Sequence, residues 1–306
     1  MQGTVLCGIN NFFTVEAGGT RYECRLKGKI LAIDEQEYNP LAAGDEVEFE
    51  IVSENPPKGL VLSRLPRHNA FVRFNRKLSK PQTLAANFDI LAAVTSVDEP
   101  PFRPRFLDRV FVAAPDGCER WIICNKTDFP VSEEIRRRLD GFEKIGIRVF
   151  PVCVKEGCGL AVLREALGDQ RALFVGQSGV GKSSLLNALR PDASQRVAAV
   201  SEKYNRGCHT TNFSLLFPGE KSLPELIDSP GIREIEVYGI EPADLRFHYP
   251  DFTPFAAACP INGCRHLSEP ECAVRRAVEE GLLDEDRYFS YLNLYDQLER
   301  RSRSYR

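Results

Sequence analysis

Gly176-Gln177-Ser178-Gly179-Val180-Gly181-Lys182-Ser183 fits G-x-x-x-x-G-K-[ST], and its flanks give it a structural context. Before it, Arg171-Ala172-Leu173-Phe174-Val175 reads as a short buried strand. After it, Ser184-Leu185-Leu186-Asn187-Ala188-Leu189 carries leucines at helical spacing. Strand, glycine-rich turn and helix in that order aim successive backbone N–H groups and a helix N-terminus at one anion. Lys182 would then reach the β and γ phosphates of a nucleotide, and the Ser183 hydroxyl would coordinate Mg²⁺. Residues Gly176, Gln177, Ser178, Gly179, Val180, Gly181 and Ser184 complete the candidate phosphate-binding set. The bland alternative is a glycine-rich turn that binds nothing, and the flanking strand and helix argue against it.

On the N-terminal side, strands alternate with helical patterns. Residues 88–94, 121–124 and 148–152 read as strands, and residues 105–114, 132–139 and 160–167 as helices. The pattern predicts an α/β domain over residues 69–236, a mostly parallel sheet with its binding loops at the carboxyl ends of the strands. At the end of the second strand stands Asn125-Lys126-Thr127-Asp128, an N-K-x-D sequence. As a carboxylate, Asp128 can accept from both N1–H and the 2-amino group of guanine, a donor pair adenine lacks. Asn125 would brace the loop and Lys126 would lie along the base. Four residues alone could equally form a loop with an Asx turn; the phosphate loop makes the guanine reading stronger.

Asp228-Ser229-Pro230-Gly231 fits D-x-x-G, in which the aspartate reaches Mg²⁺ through water and the glycine N–H meets the γ-phosphate. Between it and the phosphate loop lies Gly207-Cys208-His209-Thr210-Thr211, where Thr211, or else Thr210, could complete the Mg²⁺ shell as a switch. Cys153-Val154-Lys155 is a weaker element beside the base. The base-reading motif precedes both phosphate motifs, the reverse of the ordinary order. A circular permutation accounts for this, because the same sheet forms with its termini moved. It also leaves Asp228 to Gly231 close to the end of the domain, so nucleotide state is expected to pass into residues 237–306.

Residues 1–68 hold short alternating segments, among them Tyr22-Glu23-Cys24-Arg25-Leu26-Lys27 and Val47-Glu48-Phe49-Glu50-Ile51. They predict a small β-barrel, an OB-fold or an SH3-like one, with the OB-fold as the expectation. A basic stretch with Arg64, Arg67, His68, Arg73, Arg76, Lys77 and Lys80, interleaved with Phe71 and Phe74, suggests RNA contact; a solvated linker would look similar. Residues 237–306 contain Cys259, Cys264, His266 and Cys272, spaced C-x₄-C-x-H-x₅-C, which suits a closed structural zinc site. Residues 273–280 and 286–300 then read as helices, with Tyr288, Tyr291, Leu292, Tyr295 and Leu298 as a core stripe. The arginine-rich residues 300–306 are expected to be disordered in isolation and able to meet RNA phosphates.

The formal net charge of −3 excludes a protein that is basic throughout, and 43% hydrophobic against 27% charged residues is ordinary for a globular chain. No apolar run reaches membrane-spanning length, and the N-terminus lacks a basic region followed by an apolar core, so a cytoplasmic location is expected. Ten cysteines in such a compartment point to metal where clustered and to core thiols where scattered.

NKTD, GQSGVGKSS, GCHTT and DSPGI in that order, between a small barrel and a cysteine-histidine cluster, resemble the circularly permuted ribosome small-subunit-dependent GTPase A (RsgA) family over nearly the whole chain. The resemblance implies GTP hydrolysis, slow alone and faster on the small (30S) ribosomal subunit, late in that subunit's assembly. It implies GTP/GDP, Mg²⁺ and Zn²⁺ as cofactors, contact with 16S rRNA, and a monomer without membrane association. Two departures stand out: Cys153 where serine is common, and Cys208 where a basic or polar residue is expected. Ile232 follows Gly231 where many GTPases carry a water-orienting glutamine, and an aliphatic side chain cannot hold a water. The residues alone leave His209 equally a structural or a catalytic histidine; the family pattern G-x-H-T-T implies that it acts in catalysis, beside Lys182 and Thr211. An RNA-binding module that uses GTP with little intrinsic catalysis, and an ATPase with a chance NKTD, are the alternatives.

Overall fold

Alternating burial builds the first unit, as in Phe12–Ala17, where every second side chain is buried. A computed structural model describes residues 1–9, 11–27, 39–76, 79–193, 213–220 and 223–304. Strands β1 (Gln2–Ile9), β2 (Phe12–Ala17), β3 (Thr20–Leu26), β4 (Glu46–Glu54) and β5 (Pro57–Arg64) close a barrel in the order β1-β2-β3-β5-β4. Parallel pairing of β3 with β5 and antiparallel closure of β1 on β4 are the OB-fold arrangement, not the SH3-like one. Val5, Val15, Cys24, Val47, Phe49 and Val61 fill its interior.

An antiparallel hairpin, β6 (Ala70–Asn75) and β7 (Lys80–Ala86), leads from the barrel to the sheet. Arg73 and Lys80 of the basic stretch lie in its strands. Phe71 is fully buried, Arg67 holds Asp45 through Nε at 2.7 Å, Arg73 bonds Gln82, and Arg76 pairs with Glu236. Of the basic stretch, His68, Arg76 and Lys80 remain exposed.

The central sheet has the order β10-β9-β8-β11-β13-β12, from β8 (Ile90–Ser96), β9 (Glu119–Asn125), β10 (Arg148–Pro151), β11 (Arg171–Gly176), β12 (Leu215–Phe217) and β13 (Glu225–Asp228). Only β12 is antiparallel to its neighbour. All seven residues of β8 are buried, as a strand covered on both faces requires. Leu91 and Ala93 face α1 (Pro104–Val112) and α2 (Glu133–Lys144); Ile90, Ala92 and Val94 face α3 (Leu160–Leu167) and α4 (Lys182–Leu189). With β8, β9, β11 and β13 all parallel, their carboxyl ends lie along one edge, where Asn125, Gly176 and Asp228 sit.

Beyond the sheet come two 3₁₀ segments, Pro242–His248 and Pro250–Phe252, then α5 (Thr253–Ala256), α6 (Ala273–Glu279) and α7 (Glu285–Ser304). The tyrosine stripe is core: Tyr288, Tyr291, Tyr295 and Leu298 pack with Tyr249 and Phe252, and Val112 of α1 belongs to the same cluster. Behind it, the fully buried Asp108 of α1 accepts from Arg138 of α2 and Arg287 of α7, each at 2.7 Å. Of the residues expected to be disordered, 300–304 are helical, since α7 runs to Ser304. Pairs four residues apart, Asp296 with Arg300 and Glu299 with Arg303, support its last turns.

Candidate functional site

The phosphate loop leaves β11 at Gly176 and enters α4 at Lys182. Gly181, its last residue, has φ +86, and a Cβ there would overlap the Asn125 amide nitrogen. The overlap matters because Asn125, at the end of β9, donates from Nδ2 to the Val180 carbonyl at 2.9 Å and is itself buried. Its Oδ1 accepts from the Val154 N–H at 3.3 Å. One amide thus ties the loop of residues 125–128, the loop of residues 176–181 and the loop after β10 together, reaching across 55 residues of sequence to Val180.

Lys126 takes φ +61 and places its ammonium on the Glu99 carbonyl. The Thr127 N–H bonds Val152 O at 3.2 Å, and the Phe129 N–H bonds Lys126 O at 3.1 Å, which shapes the turn that presents Asp128. The Asp128 carboxylate accepts from Cys153 Sγ at 3.5 Å and lies 3.7 Å from the Lys155 ammonium. Cys153 therefore contributes a donor to Asp128 through its side chain, while its own N–H donates to Cys158 O at 3.0 Å.

At the other end, Lys182 is buried with its ammonium on the Asp228 carboxylate and 2.5 Å from the Ser229 carbonyl. Burial pushes the Asp228 carboxyl above its ordinary range, and the Lys182 ammonium opposes that shift. Ser183 and Ser184 lie in the first turn of α4, and the Gln177 amide bonds Arg233 O at 3.1 Å. Gly231 lies beside Ser178, so the D-x-x-G loop meets the phosphate loop. Ile232 is buried in the core, and its N–H bonds Gly176 O at 3.1 Å. That position holds the loop and has no side-chain group for a water. Cys208, His209, Thr210 and Thr211 lie outside the described residues.

Cys259, Cys264, His266 and Cys272 converge, with their ligand atoms all within 4.8 Å of one another. His266 Nδ1 is 3.6 Å from Cys259 Sγ and 3.4 Å from Cys272 Sγ. A tetrahedral zinc with bonds of about 2.3 Å places its sulfur ligands about 3.8 Å apart, so the donor set fits. Tyr288 donates to His266 O at 2.8 Å, and Arg246 Nη1 to Cys264 O at 2.7 Å, fixing the loop behind the ligands.

The family model described as RsgA GTPase matches residues 64–238, and the one described as RsgA N-terminal domain matches residues 2–61. The chain belongs to the RsgA family. The small ribosomal subunit biogenesis GTPase RsgA of Borrelia recurrentis is 37% identical over 303 residues, 97% of this chain and 94% of that protein. The protein of the same description from Chlorobaculum parvum is 37% identical over 310 residues, 98% of both. Among solved structures, YjeQ from Thermotoga maritima matches with a TM-score of 0.71 at 27% identity, over 97% of this chain and 98% of that one. YloQ, described as a circularly permuted GTPase, matches with a TM-score of 0.68 at 26% identity, over 98% and 95%. The RsgA chain here shows that permuted order directly. The strand that ends at Asn125, β9, precedes β11, which leads into the phosphate-loop motif, and both flank β8.

The sequence pattern alone does not reveal Ser229, whose buried hydroxyl bonds Phe174 O at 2.7 Å and whose own carbonyl receives Lys182. Nor does it reveal Glu99, whose carbonyl anchors Lys126. Neither position carries a motif signal, because each acts through backbone or local packing.

Proposed function

We propose that this chain hydrolyses GTP to GDP and phosphate as an assembly factor of the small (30S) ribosomal subunit, with turnover stimulated by that subunit. The observation that supports this best is the Asn125 side chain on Val180 O, which joins the guanine-reading loop to the phosphate loop despite their inverted order. Asn125, Lys126, Thr127 and Asp128 hold the base. The residues from Gly176 to Ser184 hold the phosphates through backbone N–H groups, with Lys182 moving from Asp228 to the phosphate oxygens. The Ser183 and Thr211 hydroxyls would hold Mg²⁺, with Asp228 reaching it through water, and the ion would supply charge neutralisation at the phosphates. Gly231 senses the γ-phosphate, and His209 orients the attacking water in place of the buried Ile232. Zn²⁺ on Cys259, Cys264, His266 and Cys272 is structural, because four protein donors leave no open position.

The division at residues 1–68, 69–236 and 237–306 gives each part its own role, with the barrel on 16S rRNA, the permuted domain on GTP and the zinc-bearing helical part on the subunit. The chain works as a monomer in the cytoplasm, without a membrane; among the described residues no helix is long and apolar enough to cross one. A second reading, an RNA-binding module whose hydrolysis is incidental, draws on the burial of Ile232. GTP turnover measured with purified small subunits added or withheld separates the two. Stimulation is expected, and equal rates would leave only the binding module.

A further inference from the structure

The loop after β10 carries two cysteines, and neither the phosphate loop nor the metal cluster uses the second. Cys153 and Cys158 face each other across an isolated antiparallel bridge, with the Cys153 N–H donating to Cys158 O at 3.0 Å. Opposed residues in an antiparallel pair hold their Cα atoms about 4.5–5.5 Å apart with side chains on one face. That falls inside the range of about 4.4–6.8 Å that a disulfide spans. Gly157, at φ +76, turns the chain between them. Both thiols are free, and they differ in access: Cys158 is exposed, whereas Cys153 is 2% exposed. The Cys153 thiol points instead to Asp128 Oδ1 at 3.5 Å, so this pair adjoins the carboxylate assigned to guanine.

We infer that a hydroperoxide converts Cys153 and Cys158 into a disulfide, and that this bond weakens guanine-nucleotide binding. The exposed Cys158 thiolate attacks the peroxide: an S–O bond forms, the O–O bond breaks, and the released hydroxide leaves as water. Cys153 then attacks the resulting sulfenic sulfur. The S–S bond forms, the S–O bond breaks, and a second water leaves. Two thiols are oxidised and one peroxide is reduced to two waters. The bond takes the thiol proton from Asp128 and turns that sulfur toward Cys158, so the carboxylate loses a donor that holds it in place. One net hydrogen bond corresponds to about a fivefold change in affinity. The first half of the inference needs only the two thiols; the second rests on Asp128 reading the base.

The test uses the full, zinc-loaded chain, treated with hydrogen peroxide and digested with trypsin without reductant. Cleavage after Arg148, Lys155 and Arg164 puts the cysteines on separate peptides, residues 149–155 and 156–164, each with one thiol. The expected product is the two peptides joined, lighter than their sum by two hydrogens and separated by dithiothreitol. In parallel, GDP is expected to bind the oxidised chain about fivefold more weakly than the reduced chain, with recovery on reduction. Cys158→Ser keeps all four metal ligands and should lose the response to peroxide, which separates this effect from oxidation of the zinc cluster. Peptides that stay apart would overturn the disulfide. Equal GDP affinity of joined and reduced chains, or an undiminished response in Cys158→Ser, would overturn its link to the site. A reduced chain that binds no GDP would instead refute the reading of Asp128, while the joined peptides would still decide the disulfide.

Discussion

Gly181→Ala tests whether the two nucleotide loops are mechanically joined, and Gly179→Ala is its internal control. The two glycines have nearly the same backbone, φ +86 and φ +87, so alanine strains both by about 1–2 kcal/mol. Their surroundings differ. Among the described residues a Cβ at 179 meets only Pro100, at 3.4 Å, whereas at 181 it displaces the Asn125 amide from Val180 O. Leaving that buried carbonyl and amide unpaired adds about 1–3 kcal/mol, so Gly181→Ala should cost about 2–5 kcal/mol in all. Trp121, the only tryptophan and fully buried in β9, reports this domain's unfolding in urea without signal from the barrel or the C-terminal helices. In an Asn125→Ala background the clash is gone, and Gly181→Ala should fall to the cost of strain alone. The cycle should therefore show about 1–3 kcal/mol of coupling. If the glycine substitutions cost the same, or if Gly181→Ala and Asn125→Ala add within about 0.5 kcal/mol, the joint is not where the geometry places it.

Arg287→Ala strands the buried Asp108 with Arg138 alone and should destabilise the chain by about 3–5 kcal/mol, seen as a lowered melting temperature; an unchanged melt would show the triad to be inert. Stripping metal with a strong chelator should open residues 253–272 to proteolysis while GDP binding persists, since the cysteine cluster lies in a different core from the phosphate loop. Asp128→Asn should shift the preference from guanosine to xanthosine nucleotides in a competition titration, because the amide keeps an acceptor for N1–H but replaces the acceptor for guanine's 2-amino group with an N–H donor, which suits the 2-oxo group of xanthine. His209→Ala should lower subunit-stimulated turnover by about 100-fold with GDP affinity kept, and stimulated turnover at the parental rate would remove His209 from the chemistry.

What could be read in the sequence was whatever acts locally. The helix expected over residues 160–167 is Leu160–Leu167, and the buried strand before the phosphate loop is Arg171–Gly176. The helix expected to stop near 139 runs to Lys144, because Ser132 caps its start and Gly141, facing open space, sits within it without breaking it. The contacts of the basic stretch were not legible because its partners are remote: Arg76 answers Glu236, and Phe74 stacks on Tyr238 with ring centroids 6.2 Å apart. Asp108 gave no signal either. It reads as one polar residue on an amphipathic helix, and one of its partners, Arg287, lies 179 residues away. Motifs are legible when their chemistry is packed into a few neighbouring residues; ion pairs that fasten domains are not, since either half alone looks like surface charge.

Those remote pairs bear on why the permuted order matters. Gly231 is followed at once by Ile232, fixed in the sheet core, and then by a segment that three parts of the protein grip. Arg109 of α1 reaches the Ile235 carbonyl at 3.4 Å. Glu236 takes Arg301 of α7 at 2.6 Å and Arg76 of the β6–β7 hairpin, while its carbonyl accepts from the Phe74 N–H at 2.9 Å. The Arg301 guanidinium also covers the Phe74 ring, 4.7 Å from its centroid. In the ordinary motif order the chain after D-x-x-G returns to the sheet to build the base site. Here the base site is already complete, and the same stretch is free to carry Glu236 to the junction of hairpin and C-terminal helix. If Gly231 meets a γ-phosphate as proposed, its shift would act within five residues on a carboxylate that two arginines hold, rather than through the body of the domain. On that proposal the permuted order leaves five residues between Gly231 and Glu236 as the lever from phosphate to periphery, and equal hydrogen exchange of residues 237–304 in the GTP and GDP forms would refute it.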